Sequence, residues 1–216
     1  ADRPAAVATV QRAQSEPQAG DRPELAAVRQ SSTLALDLER RLDAASDFEA
    51  RADWPTTPLA RALSAVAALV ATGFPARVYT VRLSGFDTHV SQARLHQSLL
   101  AELDGAVSAF DAELAHARAA DDVLTLAFSE FGRRVAENGS RGTDHGAAGP
   151  ALLFGKSVAA GLHGPRPDLG DLDDGDVRHA IDLRSIQGAI ARDWLGIEGS
   201  TRPGSPAPLN GLLAAR

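Results

Sequence analysis

The stretch DVLTLAFSEFGRRVAENGSRGTDHGAAGPALLFG, residues 122–155, places a polar segment between two apolar runs. Residues 122–128 are mainly apolar and predict a buried strand, and residues 151–155 predict a shorter one. Acids, arginines, a histidine and glycines are concentrated in residues 129–150. This polar segment is either a metal or phosphate site at the edge of a sheet or a loop that only joins two buried strands.

Before this stretch, the run RVYTVRL at residues 77–83 predicts another buried strand. Thr57 is expected to cap a helix that Gly73 ends, and Thr88 to cap a long helix. Two further helical segments are predicted, at residues 23–52 and 182–194. The order strand, helix, strand, loop, strand, helix is typical of an α/β fold with a mostly parallel sheet. Ligands of such sheets bind outside the carboxyl ends of the strands.

The chain is predicted to form one domain, residues 23–198, between a flexible arm at residues 1–22 and a tail at residues 199–216. Residues 161–176, rich in glycine, proline and aspartate, predict a surface loop. Among 216 residues there is no methionine, so we interpret the chain as a processed or truncated piece of a longer protein.

The composition excludes several classes of function. Hydrophobic residues make up 44% and charged residues 23%, which are values of a globular domain. The net charge of −6 argues against nucleic acid as the main partner, because phosphate backbones need a basic face. The absence of cysteine excludes disulfides and thiolate zinc sites. No apolar run approaches the roughly 20 residues of a membrane span, so none is predicted. No signal peptide is visible.

Asp87 and His89, in the sequence GFDTH, directly follow the first predicted strand. A carboxylate and an imidazole on one loop are ordinary ligands for zinc, manganese or iron. The alternative is a helix start, in which Asp87 or Thr88 caps the amides and His89 lies on the first turn.

Glu130 directly follows the second predicted strand, where an unpaired carboxylate would be costly if buried. It is either a metal ligand or the partner of Arg133 or Arg134 in a structural ion pair. The two arginines could instead clamp a phosphate or sulfate ester, as could Arg141, or they could be solvated loop charges.

Asp144 and His145, flanked by glycines, form a third candidate group just before the last strand. They could give two ligands to one ion, or Asp144 could only orient His145 or form a turn. The three groups are expected to meet at one edge of the sheet, and His96 is a further candidate near the same cleft. The remaining histidines are predicted to lie on the surface.

Three stretches together resemble the bacterial family catalogued as domain of unknown function 1501: GFDTHVSQARLHQSLLAELDGAVSAF, LTLAFSEFGRRVAENGSRGTDHGAAGPALLFG and IDLRSIQGAIARDWLGI. The resemblance spans roughly residues 59–198. That family is grouped with the alkaline phosphatase and sulfatase superfamily. The resemblance implies a three-layer α/β sandwich of the alkaline phosphatase type, truncated here at its N-terminus, and a periplasmic or exported location.

The resemblance also implies roles for individual residues. His145 looks like the superfamily's late metal-binding histidine, and Asp87 and His89 resemble an earlier Asp…His ligand pair. Glu130 falls where the superfamily has an Asp-His pair, but Phe131 replaces the histidine. The nucleophile of the superfamily belongs to an N-terminal half that is not in this chain.

Two functions are therefore expected as alternatives. The first is a metal-dependent hydrolase of a phosphate or sulfate ester, with a small molecule or glycan as the substrate. It would use a divalent ion, zinc, manganese or calcium, held by Asp87, His89, Glu130, Asp144 and His145, with Arg133 or Arg134 on the ester oxygens. The second is a non-catalytic binding or scaffold domain that lacks the metal chemistry. The oligomeric state does not follow from the sequence.

Overall fold

Three helices precede the first strand among the described residues of the computed structural model. They are α1 (Pro23–Ser46), α2 (Pro58–Ala71) and α3 (Gln92–His116). The structure describes residues 15, 16, 18–198 and 204–214, so the predicted arm at residues 1–22 lies mostly outside it. Among the described helices, none combines the length and the apolar character needed to cross a lipid bilayer.

The ends of α2 follow from local sequence signals, as predicted. The Thr57 hydroxyl accepts a hydrogen bond from the Ala60 amide, 3.2 Å away, and Pro58 occupies the first helical position. Gly73 follows the helix with a φ of 69°, which a residue without Cβ adopts easily. The start of α3 differs from the prediction, because Ser91, at a φ of 49°, precedes it and Thr88 lies outside it.

The larger core lies between α2 and α3. Its buried side chains are small or aliphatic on α2 and include one aromatic ring, Phe110, on α3. The members are Leu59, Ala60, Leu63, Ala67, Ala106, Val107, Phe110, Leu114 and Ala119. Small residues on α2 allow the two helices to approach closely. This packing holds α3 in place, and the site described below lies at the N-terminal end of α3.

The predicted three-layer sandwich with a mostly parallel sheet is wrong. The described residues form three two-stranded sheets, all antiparallel. Strand β1 (Thr125–Ala127) pairs with β4 (Leu152–Phe154), β2 (Gly132–Arg133) with β3 (His145–Gly146), and β5 (Leu172–Asp173) with β6 (Asp176–Val177).

The polar segment between β1 and β4 explains this topology. It folds back on itself through the β2–β3 pair, so that β4 returns beside β1 in the opposite direction. A parallel pairing would need a crossover, usually a helix, and no helix lies between these strands. The predicted strand at residues 77–83 is not assigned as a strand, although Val81 and Leu83 pack against the larger core.

A smaller core lies around the last helix, α4 (Leu183–Ala189), which continues as a π-helix over Ile190–Trp194. The Asp182 carboxylate accepts a hydrogen bond from the Arg184 amide at the start of this helix. The predicted span of residues 182–194 is thus confirmed. Leu212, in the predicted tail, is almost fully buried against this helix.

Candidate metal centre

Asp87, His89 and His145 form a cluster of potential metal ligands. One ligand atom from each lies within 4.8 Å of the others. The Asp87 Oδ1 atom is 2.7 Å from Nε2 of His145 and 2.9 Å from Nε2 of His89. Residues separated by 58 positions in the chain therefore meet at one carboxylate oxygen.

Backbone hydrogen bonds hold the two loops of this cluster together. The Ser91 amide donates to the Ser140 carbonyl (3.0 Å), and the Gln92 amide donates to the Arg141 carbonyl (2.9 Å). The β2–β3 pairing places His145 opposite Arg133. The start of α3 and the polar segment thus form one frame, and each contributes an imidazole.

The glycines of the polar segment allow these backbones to touch. A Cβ on Gly142 would lie 2.3 Å from the His89 carbonyl, and a Cβ on Gly146 would lie 2.5 Å from the Arg133 carbonyl carbon. Neither distance is possible between non-bonded atoms, so a side chain at either position would push the two loops apart. The glycine content is therefore a requirement of the site geometry.

Asp144 contacts the cluster from behind His89. Its Oδ1 atom is 3.3 Å from Nδ1 of His89, the ring nitrogen on the side opposite the one that faces Asp87. Asn138 donates to the same carboxylate oxygen (3.3 Å) and to the His89 carbonyl (3.1 Å). Asp144 thus orients an imidazole, as one alternative from the sequence proposed, but the imidazole is His89 and not His145.

Hydrogen bonds favour the ionised form of both carboxylates of the site. The hydrogen bond from His145, with a smaller contribution from His89, holds the pKa of Asp87 below its usual value. For Asp144, the hydrogen bonds from Asn138 and His89 lower the pKa in the same way. Ionised carboxylates are the form that binds a cation.

Phe131 supports His145 in place of a ligand. The two rings stack with centroids 3.9 Å apart and planes 7° from parallel. The Arg133 guanidinium lies 5.1 Å from the centre of the Phe131 ring. The phenylalanine at this position thus restricts the orientation of a potential metal ligand.

The two arginines predicted to hold an ester are bound to the protein itself. Arg133 donates to the carbonyls of Phe86 and Thr143, the latter at 2.6 Å, and approaches Asp87 Oδ1 to 4.0 Å. Arg134 pairs with Asp174 (3.4 Å) and Asp176 (3.3 Å) at the β5–β6 hairpin. Arg133 therefore fixes the loops around the cluster, and Arg134 points to another part of the surface.

Glu130 does not join the cluster. It is exposed in the turn between β1 and β2, and no hydrogen bond or ion pair joins it to other residues of the described chain. Both interpretations of Glu130 from the sequence assumed a buried carboxylate at the end of a long strand. Because β1 ends at Ala127, three residues earlier, the carboxylate reaches solvent.

The donor set of the cluster fits a transition metal ion. Two imidazole nitrogens and one carboxylate oxygen are typical of zinc and related ions, whereas calcium takes oxygen ligands. In tetrahedral zinc sites, neighbouring ligand atoms are about 3.3 Å apart. Asp87 Oδ1 lies 2.7 Å from Nε2 of His145 and 2.9 Å from Nε2 of His89, so these atoms would move slightly apart to bind zinc. The side chains of Asp87, His89 and His145 are 65, 43 and 47% exposed, which leaves room for further ligands from solvent.

A family model matches residues 2–186 and is described as Protein of unknown function (DUF1501). The match covers most of the chain, so the protein belongs to this family. No curated protein and no solved structure matches the chain significantly.

If the cluster binds zinc, replacing Asp144 with alanine is expected to weaken that binding about 10- to 100-fold, because His89 loses the carboxylate that orients its ring. Isothermal titration calorimetry with zinc measures the change. The matched control is Asp174→Ala, which removes an exposed aspartate that pairs with Arg134. An unchanged zinc affinity in Asp144→Ala would show that the ring of His89 needs no support from this carboxylate.

Proposed function

We propose that this protein is a metal-dependent hydrolase that acts on a phosphate or sulfate ester. The observation that carries the proposal is the convergence of Asp87, His89 and His145 within 4.8 Å at an accessible surface. Structural metal sites are closed by four protein ligands, whereas catalytic sites keep positions open for water and substrate. Three partly exposed ligands match the second arrangement.

The expected ion is zinc or manganese, held by Asp87, His89 and His145. Such an ion would supply Lewis-acid chemistry to the ester when bound. The protein's own residues have positioning roles around it. Asp144 and Asn138 orient His89, Phe131 restricts His145, and Arg133 holds the two loops through their carbonyls.

The class of ester is inferred from sequence. The stretches around Asp87 and His145 resemble metal-binding segments of phosphatases and sulfatases, whose substrates carry a tetrahedral oxyanion. The antiparallel topology adds no support from fold, so the ester class depends on these ligand segments alone.

Metal loading and turnover measured on the same preparation test the proposal. We expect mass spectrometry of the zinc-loaded protein to find about one ion per chain. We expect p-nitrophenyl phosphate or p-nitrophenyl sulfate to be hydrolysed faster than by the chelator-treated protein. A protein that binds neither zinc nor manganese under any loading condition would contradict the proposal.

A second candidate is a metal-binding or scaffold domain without catalysis. The positions of the two predicted ester-binding arginines favour it, since Arg133 bonds backbone carbonyls and Arg134 pairs with a distant hairpin. The two candidates differ in turnover. A protein that binds one zinc ion tightly and hydrolyses neither ester would be assigned to this class.

A further inference from the structure

A groove adjoins the loops that carry the Asp87–His89–His145 cluster, between the first turns of α3 and the turn that precedes Asp144. It encloses about 500 Å³ and is lined by Gln92, His96, Gln97, Glu137, Arg141 and Thr143, among others. Thr143 adjoins Asp144 in the chain, and Gln92 follows His89 by three residues. A substrate whose reacting group lies at the cluster would extend into this groove.

Arg141 is the one lining residue of this groove with a permanent positive charge. Within the described part of the chain, its guanidinium has no hydrogen bond or ion pair, unlike those of Arg133 and Arg134. Glu137 lines the same groove without pairing with it. A free guanidinium beside a cation site is suited to a tetrahedral oxyanion, which accepts two parallel hydrogen bonds.

The backbone of Arg141 is in an unfavourable conformation that the turn enforces. Its φ is 59°, a left-handed value that costs free energy for any residue with a Cβ. Asn138 fixes the turn, since its side-chain oxygen accepts from the amides of Ser140 (2.9 Å) and Gly142 (3.1 Å). Glycine would occupy position 141 with less strain, so replacing Arg141 with glycine does not require the turn to change.

We infer that Arg141 binds the oxyanion of the ester and determines specificity for phosphate or sulfate. This inference rests on the proposed hydrolase function and assigns the anion contact to Arg141 in place of Arg133 and Arg134. The guanidinium donates two hydrogen bonds to oxyanion oxygens, while Gln92 and Gln97 offer amides to the rest of the substrate.

The test measures binding of inorganic phosphate, and separately of inorganic sulfate, to the zinc-loaded protein by isothermal titration calorimetry. Arg141→Gly removes the guanidinium and relieves the left-handed strain, so the variant is expected to fold at least as stably as the wild type. We expect its Kd for the preferred anion to rise about 10- to 100-fold, with zinc affinity unchanged. The relative affinities of the two anions show which ester the site prefers.

Arg118→Gly is a matched control. Arg118 is also an exposed arginine at a left-handed φ, 58°, but it follows the C-terminal end of α3. The groove lies at the N-terminal end, on the order of 30 Å away along the helix. We expect anion binding by this variant to equal that of the wild type.

Three results would overturn the inference: unchanged anion binding in Arg141→Gly, an equal loss in Arg118→Gly, or no binding of either anion by the wild type. The same titrations on metal-free protein separate this inference from the proposed function. If the protein binds no zinc but loses phosphate or sulfate binding through Arg141→Gly, the hydrolase proposal fails and the anion site is supported.

Discussion

Replacing Glu113 with alanine is expected to lower the free energy of unfolding by about 3–5 kcal/mol, because three donors lose a common acceptor that is itself buried. The Oε2 atom of Glu113 accepts from the amides of Arg51 (2.9 Å) and Ala52 (2.9 Å) and from the Trp54 indole (3.0 Å). Glu113 is only 1% exposed, so water does not replace these bonds without opening the core. Urea denaturation of the wild type and the variant measures the difference.

Glu113→Gln is the matched variant, since its amide oxygen keeps the three contacts while the charge is removed and Oε1 becomes an NH₂ group. We expect it to lose about 1–2 kcal/mol, because its NH₂ group would take the place of Oε1, which has no hydrogen-bond partner in the described structure. Equal stability of the wild type and the alanine variant would contradict a role for Glu113 in joining residues 51–54 to α3.

The same carboxylate makes stability depend on pH. Burial favours its neutral form, but the hydrogen bonds from Ala52, Trp54 and Arg51 outweigh burial and hold the pKa of Glu113 below the ordinary 4.5. Because the pKa is lower in the folded state, this contribution is present above pH 4.5 and is lost as the pH falls through the folded pKa. The stability of Glu113→Gln should depend less on pH in that range.

Glu113 also shows which part of the fold the sequence could have revealed. It lies beside the buried residues Phe110 and Leu114 on α3, and an acid on an apolar helix face is a detectable signal. Its partner Trp54 is 59 residues away, and local patterns do not identify such a pairing. Helix ends at Thr57 and Asp182 were predictable because both capping residues act on amides two or three positions away.

Sheet topology was not predictable in the same way. Apolar runs at residues 77–83, 122–128 and 151–155 indicated extended segments, but the direction of pairing depends on the path of the chain between them. The turn at Asn138 and the β2–β3 pair reverse that path. An Asn-Gly pair at residues 138 and 139 is a recognised turn signal. The sequence therefore indicates that the chain reverses direction between the two strands, although it does not indicate which strands pair.

The candidate site was predicted in part. The residue types of Asp87, His89 and His145 and their positions next to apolar runs indicate them in the sequence, and the structure brings them together. Asn138 was missed because its role, a hydrogen bond to the Asp144 carboxylate and the His89 carbonyl, depends on two loops meeting. Glu130 would lie at the edge of the sheet only if strand β1 continued to that residue, and β1 ends at Ala127.

Replacing Asp87 with asparagine is expected to weaken the proposed zinc binding by at least about 100-fold, more than the loss of Asp144, which lies outside the proposed ligand set. Asp87 Oδ1 is the atom within 3 Å of both imidazole Nε2 atoms, so the variant removes the only carboxylate of the three-residue cluster. An amide keeps the shape of the side chain, which limits the change to charge and donor type. Calorimetric titration with zinc measures the affinity.

Glu130→Gln is the control for this experiment, because it makes the same chemical change at an exposed carboxylate outside the cluster. We expect its zinc affinity to equal that of the wild type. If Glu130→Gln weakens zinc binding as much as Asp87→Asn does, the ion lies closer to the end of β1 than the three-residue cluster allows. If neither variant changes the affinity, zinc binds elsewhere in the chain. A loss confined to Asp87→Asn would place the ion between the two histidines, where Asp144 and Phe131 already fix both rings.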